Sequence, residues 1–138
     1  MGALETVTAF NDAINAQRWD DVARYLTDDF VFAGMTPQPV GKPEFIAGQQ
    51  AWAAAVPDWH VALENLRMEG NTVLANPRFT GTHTSTLALP GQPPVPATGR
   101  HFESLASSSV TLRGDQLASL NVTPGSPGIL EQLGVPMP

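Results

Sequence analysis

The chain contains no cysteine. That absence excludes a thiol nucleophile, a thiolate-bound zinc or iron–sulfur centre and any disulfide framework. Basic residues are also few: seven lysines and arginines, spaced singly, stand against thirteen carboxylates for a formal charge of −6. No stripe of positive charge is available to neutralise a phosphate backbone, so nucleic acid is not an expected partner. No stretch approaches the roughly 20 apolar residues of a membrane span, and the opening MGALETVTAFNDAIN has neither a basic n-region nor a long apolar run. A soluble, cytoplasmic protein without membrane contact is expected. Titratable chemistry near neutrality rests on three histidines and the carboxylates. The histidines show none of the helical or closely paired spacings that favour zinc, and no metal is expected.

What is present suits a single domain over 1–138, since 138 residues at 42% hydrophobic content can build a core without staples. Val7, Phe10 and Ile14 recur at three- and four-residue steps, predicting a helix over about 3–17. Trp19, Val22, Ala23 and Leu26 repeat the pattern, with Asp20 and Asp21 at the favourable end of the helix dipole. FVFAG predicts a short strand ending near Ala33, broken by the prolines that follow. Phe45, Ile46, Gln49, Trp52, Ala53 and Val56 predict a third helix over 42–56, with Pro43 in its first turn and Pro57 after its end.

Beyond Pro57 the pattern turns extended. HVALENLRM and TVLANPRFTGTHTSTLAL read as a hairpin around Glu69-Gly70-Asn71, with Pro77 marking an edge or a bulge. A strand from Phe102 to Leu112 reaches the turn Arg113-Gly114-Asp115, and LASLNVT returns as the last strand. GILEQLG closes with a turn or two of helix. The expected order is ααβαββββα, an α+β fold. Within it, Thr80 to Glu103 holds two histidines on runs that flank a proline-rich loop. Strand side chains alternate between faces, so His83 and His101 can sit side by side, and a one-residue slip separates them.

These residues carry a resemblance. The opening helix pair, D-D-F-x-F, P-D-x-H at 57 to 60, E-G-N-T-V at 69 to 73, T-G-T-H at 80 to 83, P-x-T-G-R ending at Arg100, R-G-D at 113 to 115 and Q-L-G at 132 to 134 resemble the SnoaL-like polyketide cyclases, or ester cyclases, of the nuclear transport factor two-like (cystatin-like) superfamily. The resemblance spans nearly the whole chain. It implies a cone-shaped α+β barrel in which a strongly curved, mostly antiparallel sheet wraps on the N-terminal helices. It also implies a homodimer packed through the sheet, a deep pocket for a small apolar molecule, and ring closure by proton abstraction next to a carbonyl without a metal or organic cofactor. The family's acid-base carboxylate aligns with Ser107 to Ser109 or Asn121 to Thr123, and the base of the related ketosteroid isomerases aligns with Ala33 or Gly34. No carboxylate stands at either place.

The candidate catalytic group is therefore His101 as base, oriented by Glu103 on the same strand face, with His83 as an electrophilic donor. Phe10, Tyr25, Phe32, Trp52 and Trp59 are expected to line an apolar pocket, with Asn121 or a serine as an oxyanion contact. Structural readings stand beside these: an exposed cross-strand pair for His101 and Glu103, a loop contact for His83, and core packing for the aromatic residues. The function read from the chain is a cofactor-free cyclase or isomerase, or else a non-catalytic binder of a small apolar ligand or a dimeric scaffold. The resemblance to this superfamily also implies water addition to an epoxide as an alternative, which would need an Asp-Arg-Asp group that the spread of Asp58, Arg78 and Asp115 does not supply.

Overall fold

The computed structural model of the protein describes residues 2–34, 38–88, 93–125 and 129–134. Helix α1 (Ala3–Asn15) buries Val7, Phe10, Ala13 and Ile14, as their spacing requires. It stops short of residue 17 because the backbone turns left-handed at Gln17, with φ of 57°. Asn15, the last residue of the helix, turns its side-chain amide to the sheet, accepting from the Val61 N–H and donating to the Val61 carbonyl, each at 2.9 Å. Helix α2 (Trp19–Arg24) carries Asp20 and Asp21 in its first turn. Strand β1 (Leu26–Ala33) begins earlier than FVFAG, with Leu26 paired to Leu117 before an irregularity restores pairing at Val31 and Ser119. Helix α3 (Lys42–Ala55) holds Pro43 in its first turn, where no N–H is needed.

Strands β2 (His60–Glu69), β3 (Thr72–Thr82), β4 (His101–Leu105), β5 (Ser107–Arg113) and β6 (Gln116–Thr123) follow, and then a short helix α4 (Ile129–Gln132). The order is ααβαβββββα, one strand more than the sequence predicts. The extra strand arises because the run from Phe102 to Leu112 is interrupted at Ala106 without losing register: Arg78 pairs with Leu105 and Ala75 with Ser108. Ala106 lies opposite Pro77 and donates to its carbonyl at 2.9 Å. The return bond cannot form, since proline has no N–H. The Asn76 amide supplies it, donating to the Ala106 carbonyl at 3.1 Å. Pro77 thus marks an irregularity in a central strand, not an edge.

The sheet runs β1-β6-β5-β3-β2, with β4 extending the β3 pairing beyond β5. Neighbours are antiparallel except β1 and β6, which run parallel. Alternation along β3 sends Val73, Ala75, Phe79 and Gly81 to the concave side, where α1 and α3 pack, and His83 just beyond the strand keeps to the same side. Phe45 of α3 is the hub of that layer, its ring 6.1 Å from Phe10, 5.2 Å from Phe30 and 4.9 Å from Phe32. A second aromatic group joins Trp52, Trp59, Phe79 and Phe102. Each such buried ring contributes on the order of 2–3 kcal/mol through area removed from water. Among the described residues, no helix is long and apolar enough to cross a membrane.

Candidate functional site

His83 and His101 do not meet. The β3–β4 register pairs Thr82 with His101, so His83, the residue just after β3, falls on the opposite face. The side-by-side placement expected from the sequence is overturned by one residue of register, which the sixteen-residue connection from 84 to 99 leaves free to vary. His83 is fully buried on the concave side, and His101 is exposed on the convex side.

The surroundings of His83 are built by the residues just before β4. Its backbone exchanges hydrogen bonds with that segment, His83 N–H to the Arg100 carbonyl at 2.9 Å and Gly99 N–H to the His83 carbonyl at 2.8 Å. Gly99 has a φ of 69°, a left-handed turn that glycine adopts without strain. Beyond that turn the Thr98 N–H donates to His83 Nδ1 at 3.3 Å, and the Thr98 hydroxyl lies 3.0 Å from the same atom. His83 Nε2 has no hydrogen-bond partner, and neither has Trp59 Nε1. Trp59 is 8% exposed and precedes the β2 residue that pairs with Thr80, so it stands level with Gly81, the inward neighbour of His83. Two buried ring nitrogens therefore lack partners at one end of the aromatic interior. Buried polar groups are rarely left so, because losing water without a replacement costs about 1–3 kcal/mol each.

The convex face carries the charges. Glu103 shares this face with His101, as their spacing on β4 requires. It does not orient the imidazole: its carboxylate accepts from Arg78 at 2.6 Å, and Glu64 accepts from the same guanidinium. The bond from Arg78 holds the Glu64 carboxyl below its usual range, and in turn Glu64 and Glu103 raise Arg78. His101 Nδ1 instead lies 3.1 Å from the Thr82 hydroxyl, which donates to Asp58 at 3.1 Å. Asp58 also accepts the Thr82 N–H at 2.7 Å, and that backbone bond is the main reason its carboxyl titrates low, with the Thr82 hydroxyl and the His101 charge adding to it. A hydroxyl that gives its one proton to Asp58 can only accept from His101, so the chain runs from His101 through Thr82 to Asp58.

The other expected site residues divide. Phe10, Phe32 and Trp59 are buried in the interior, and Trp52 and Tyr25 are half-buried at its margin. Asn121 is exposed on the convex face of β6, opposite Ser109, and does not reach the interior. Within the proline-rich loop of Thr80 to Glu103, residues 89–92 lie outside the described residues, whereas Leu87 is fully buried and bridges to Val95. Every carboxylate whose exposure is described is at least partly exposed, so none of these stands in the interior as a base. An open depression of about 340 Å³ lies apart from this region, on α1 between Leu4, Glu5, Thr8, Ala9 and Asp12. Thr98 was not singled out by sequence, although it stands in the P-x-T-G-R run. The glycine that follows it is the signal of the turn that brings its N–H to His83.

A curved sheet wrapped on helices defines a cystatin-like class of α+β domain. The sequence profile of the SnoaL-like domain matches residues 7–120, and the chain belongs to that family. No curated protein sequence matches it. Among solved structures, a SnoaL-like polyketide cyclase from Agrobacterium tumefaciens is 19% identical, with a TM-score of 0.75 over 97% of this chain and all of that one (100%). A cystatin-fold protein from Novosphingobium aromaticivorans is 29% identical, with a TM-score of 0.62 over 88% of this chain and 97% of that one. A protein of ketosteroid isomerase-like fold from Catenulispora acidiphila, in complex with trimethylamine, is 19% identical, with a TM-score of 0.70 over 96% and 94%.

Proposed function

We propose that this SnoaL-like domain binds a small, mostly apolar molecule at the His83 end of its aromatic interior and does not itself abstract a proton from it. The observation that supports this is the pair of buried, unpartnered nitrogens, His83 Nε2 and Trp59 Nε1, the latter on a ring packed against Trp52, Phe79 and Phe102. Apolar walls with a few convergent polar atoms are the usual make-up of a small-ligand site. A cyclisation or isomerisation through an enolate needs a base inside the dry pocket. His101 and Glu103 face the other way, the carboxylates whose exposure is described lie outside the interior, and the interior imidazole, His83, has its Nδ1 engaged by the Thr98 N–H and hydroxyl.

The test is titration with naphthalene-sized apolar probes, following the indole N–H resonance of Trp59 and the protein's tryptophan fluorescence. Saturable shifts at Trp59 and His83 are expected, and their loss in His83→Phe. Probes that perturb only the depression on α1, or nothing, overturn the reading.

The same proposal includes a second copy of the chain on the convex face. Val31 and Leu105 are 43% and 42% exposed there, beside the short side chains of Ser107, Ser109, Thr111 and Ser119. Small side chains let another sheet approach closely, and the two aliphatic groups supply area to bury. Sedimentation of the native chain should give a dimer, and Ser109→Arg a monomer. A native monomer at high concentration removes this part of the proposal.

A further inference from the structure

We propose that Thr98 is a positioning residue: it fixes His83 as a hydrogen-bond donor, and so makes the site select ligands that present an oxygen acceptor. This deepens, and rests on, the binding function proposed above. A backbone N–H can only donate. The Thr98 N–H points at His83 Nδ1 from 3.3 Å, so Nδ1 must offer its lone pair, and in the neutral imidazole the proton then sits on Nε2. The opposite tautomer would set two N–H groups against each other and leave the Thr98 N–H without its acceptor.

The Thr98 hydroxyl does not disturb this assignment. It accepts the Arg100 N–H at 3.3 Å and has its own proton to give to Nδ1, 3.0 Å away. His83 Nε2–H therefore joins Trp59 Nε1–H, which is a donor in every state. Both are buried and both lack an acceptor. Such a site is satisfied by a ketone, ester or quinone oxygen, or by the oxygen of a water where no ligand is bound. It leaves an ammonium or amine group facing donors. The selectivity is held by a residue that itself lies outside the buried layer, because Thr98 is exposed and acts through Nδ1.

Two measurements test this. In a long-range proton–nitrogen correlation spectrum of the histidine-labelled protein at neutral pH, His83 is expected to carry its proton on Nε2, with Nδ1 unprotonated. A proton on Nδ1 overturns the proposal without any ligand being involved. Thr98→Val, which keeps the N–H, should leave that pattern intact. Thr98→Pro, which removes it, should mix the two tautomers. If Thr98→Pro fails to fold, the native spectrum and the valine variant still decide.

The second measurement compares ethylnaphthalene, the methyl ketone of naphthalene and the corresponding primary amine as probes. The ketone should bind the native protein about ten-fold more tightly than the hydrocarbon, as one buried hydrogen bond allows. The amine should bind more weakly than either. Equal binding of ketone and hydrocarbon sinks the acceptor selectivity while leaving an apolar site in place. If none of the three binds, the binding function itself falls.

Discussion

Asn76 donates its side-chain amide to the carbonyl of Ala106, the one backbone acceptor that Pro77 faces and cannot satisfy. The amide thus stands in for a peptide group inside the sheet. Asn76→Ala should cost about 1–2 kcal/mol, the penalty of a buried carbonyl left without a donor. Restoring an N–H at the neighbouring position, in the double variant Asn76→Ala with Pro77→Val, should recover much of that loss. Urea unfolding of the four members of the cycle measures the coupling, and strictly additive effects would show that the two residues do not share one acceptor.

Phe45 touches three other phenylalanine rings and is 3% exposed. Phe45→Ala should destabilise the fold by about 3–5 kcal/mol, since both the transfer term and the cavity left between α1, α3 and β1 count. Thermal or urea unfolding gives the value. A loss under about 1 kcal/mol would mean that the ring cluster does not hold the helices on the sheet.

Gly81 is closed to a side chain. A Cβ placed there would lie 2.2 Å from Cγ1 of Val56, itself fully buried where α3 ends. Gly81→Ala should therefore cost about 1–3 kcal/mol by overpacking. Adding Val56→Ala opens the contested space, so the double variant should be more stable than the sum of the singles implies. A double variant no better than additive would place the strain elsewhere.

Asp58 links the end of α3 to the end of β3 through the Thr82 N–H. Its carboxyl titrates below the ordinary value of 3.8, so its contribution to stability is complete above that value and is lost as pH falls through the lower, folded one. Asp58→Asn should lower stability at neutral pH by about 1 kcal/mol, after allowing for its exposure to solvent. It should also flatten the acid limb of stability against pH. An acid limb unchanged in Asp58→Asn would assign that limb to the other depressed carboxylates, Asp29 and Glu64.

The helices were legible in the sequence because their apolar spacing is local: Val7, Phe10 and Ile14 need no knowledge of the sheet to declare a face. Pro77 likewise announced an irregularity, since the lack of an N–H is written in the residue. The parallel pairing of β1 with β6 was not legible, as nothing local ties Phe32 to Leu120. Nor was the side of the sheet on which each histidine lies. Parity along a strand is fixed by sequence, but parity between strands is fixed by register, and the connection from 84 to 99 does not set it. That single degree of freedom moved His101 away from the interior and left His83 there, joined by Thr98.

Gln132 of α4 grips the backbone of Glu103 in β4, accepting its N–H at 3.0 Å and donating to its carbonyl at 2.8 Å, much as Asn15 grips Val61 in β2. One clasp is made by the first helix and the other by the last. During synthesis these clasps close at very different times. The β2 edge finds Asn15 already waiting when Val61 emerges, whereas β4 must wait until α4 has left the ribosome. In that interval the Glu103 backbone is without its clasp, and it is the emergence of Gln132 that closes it.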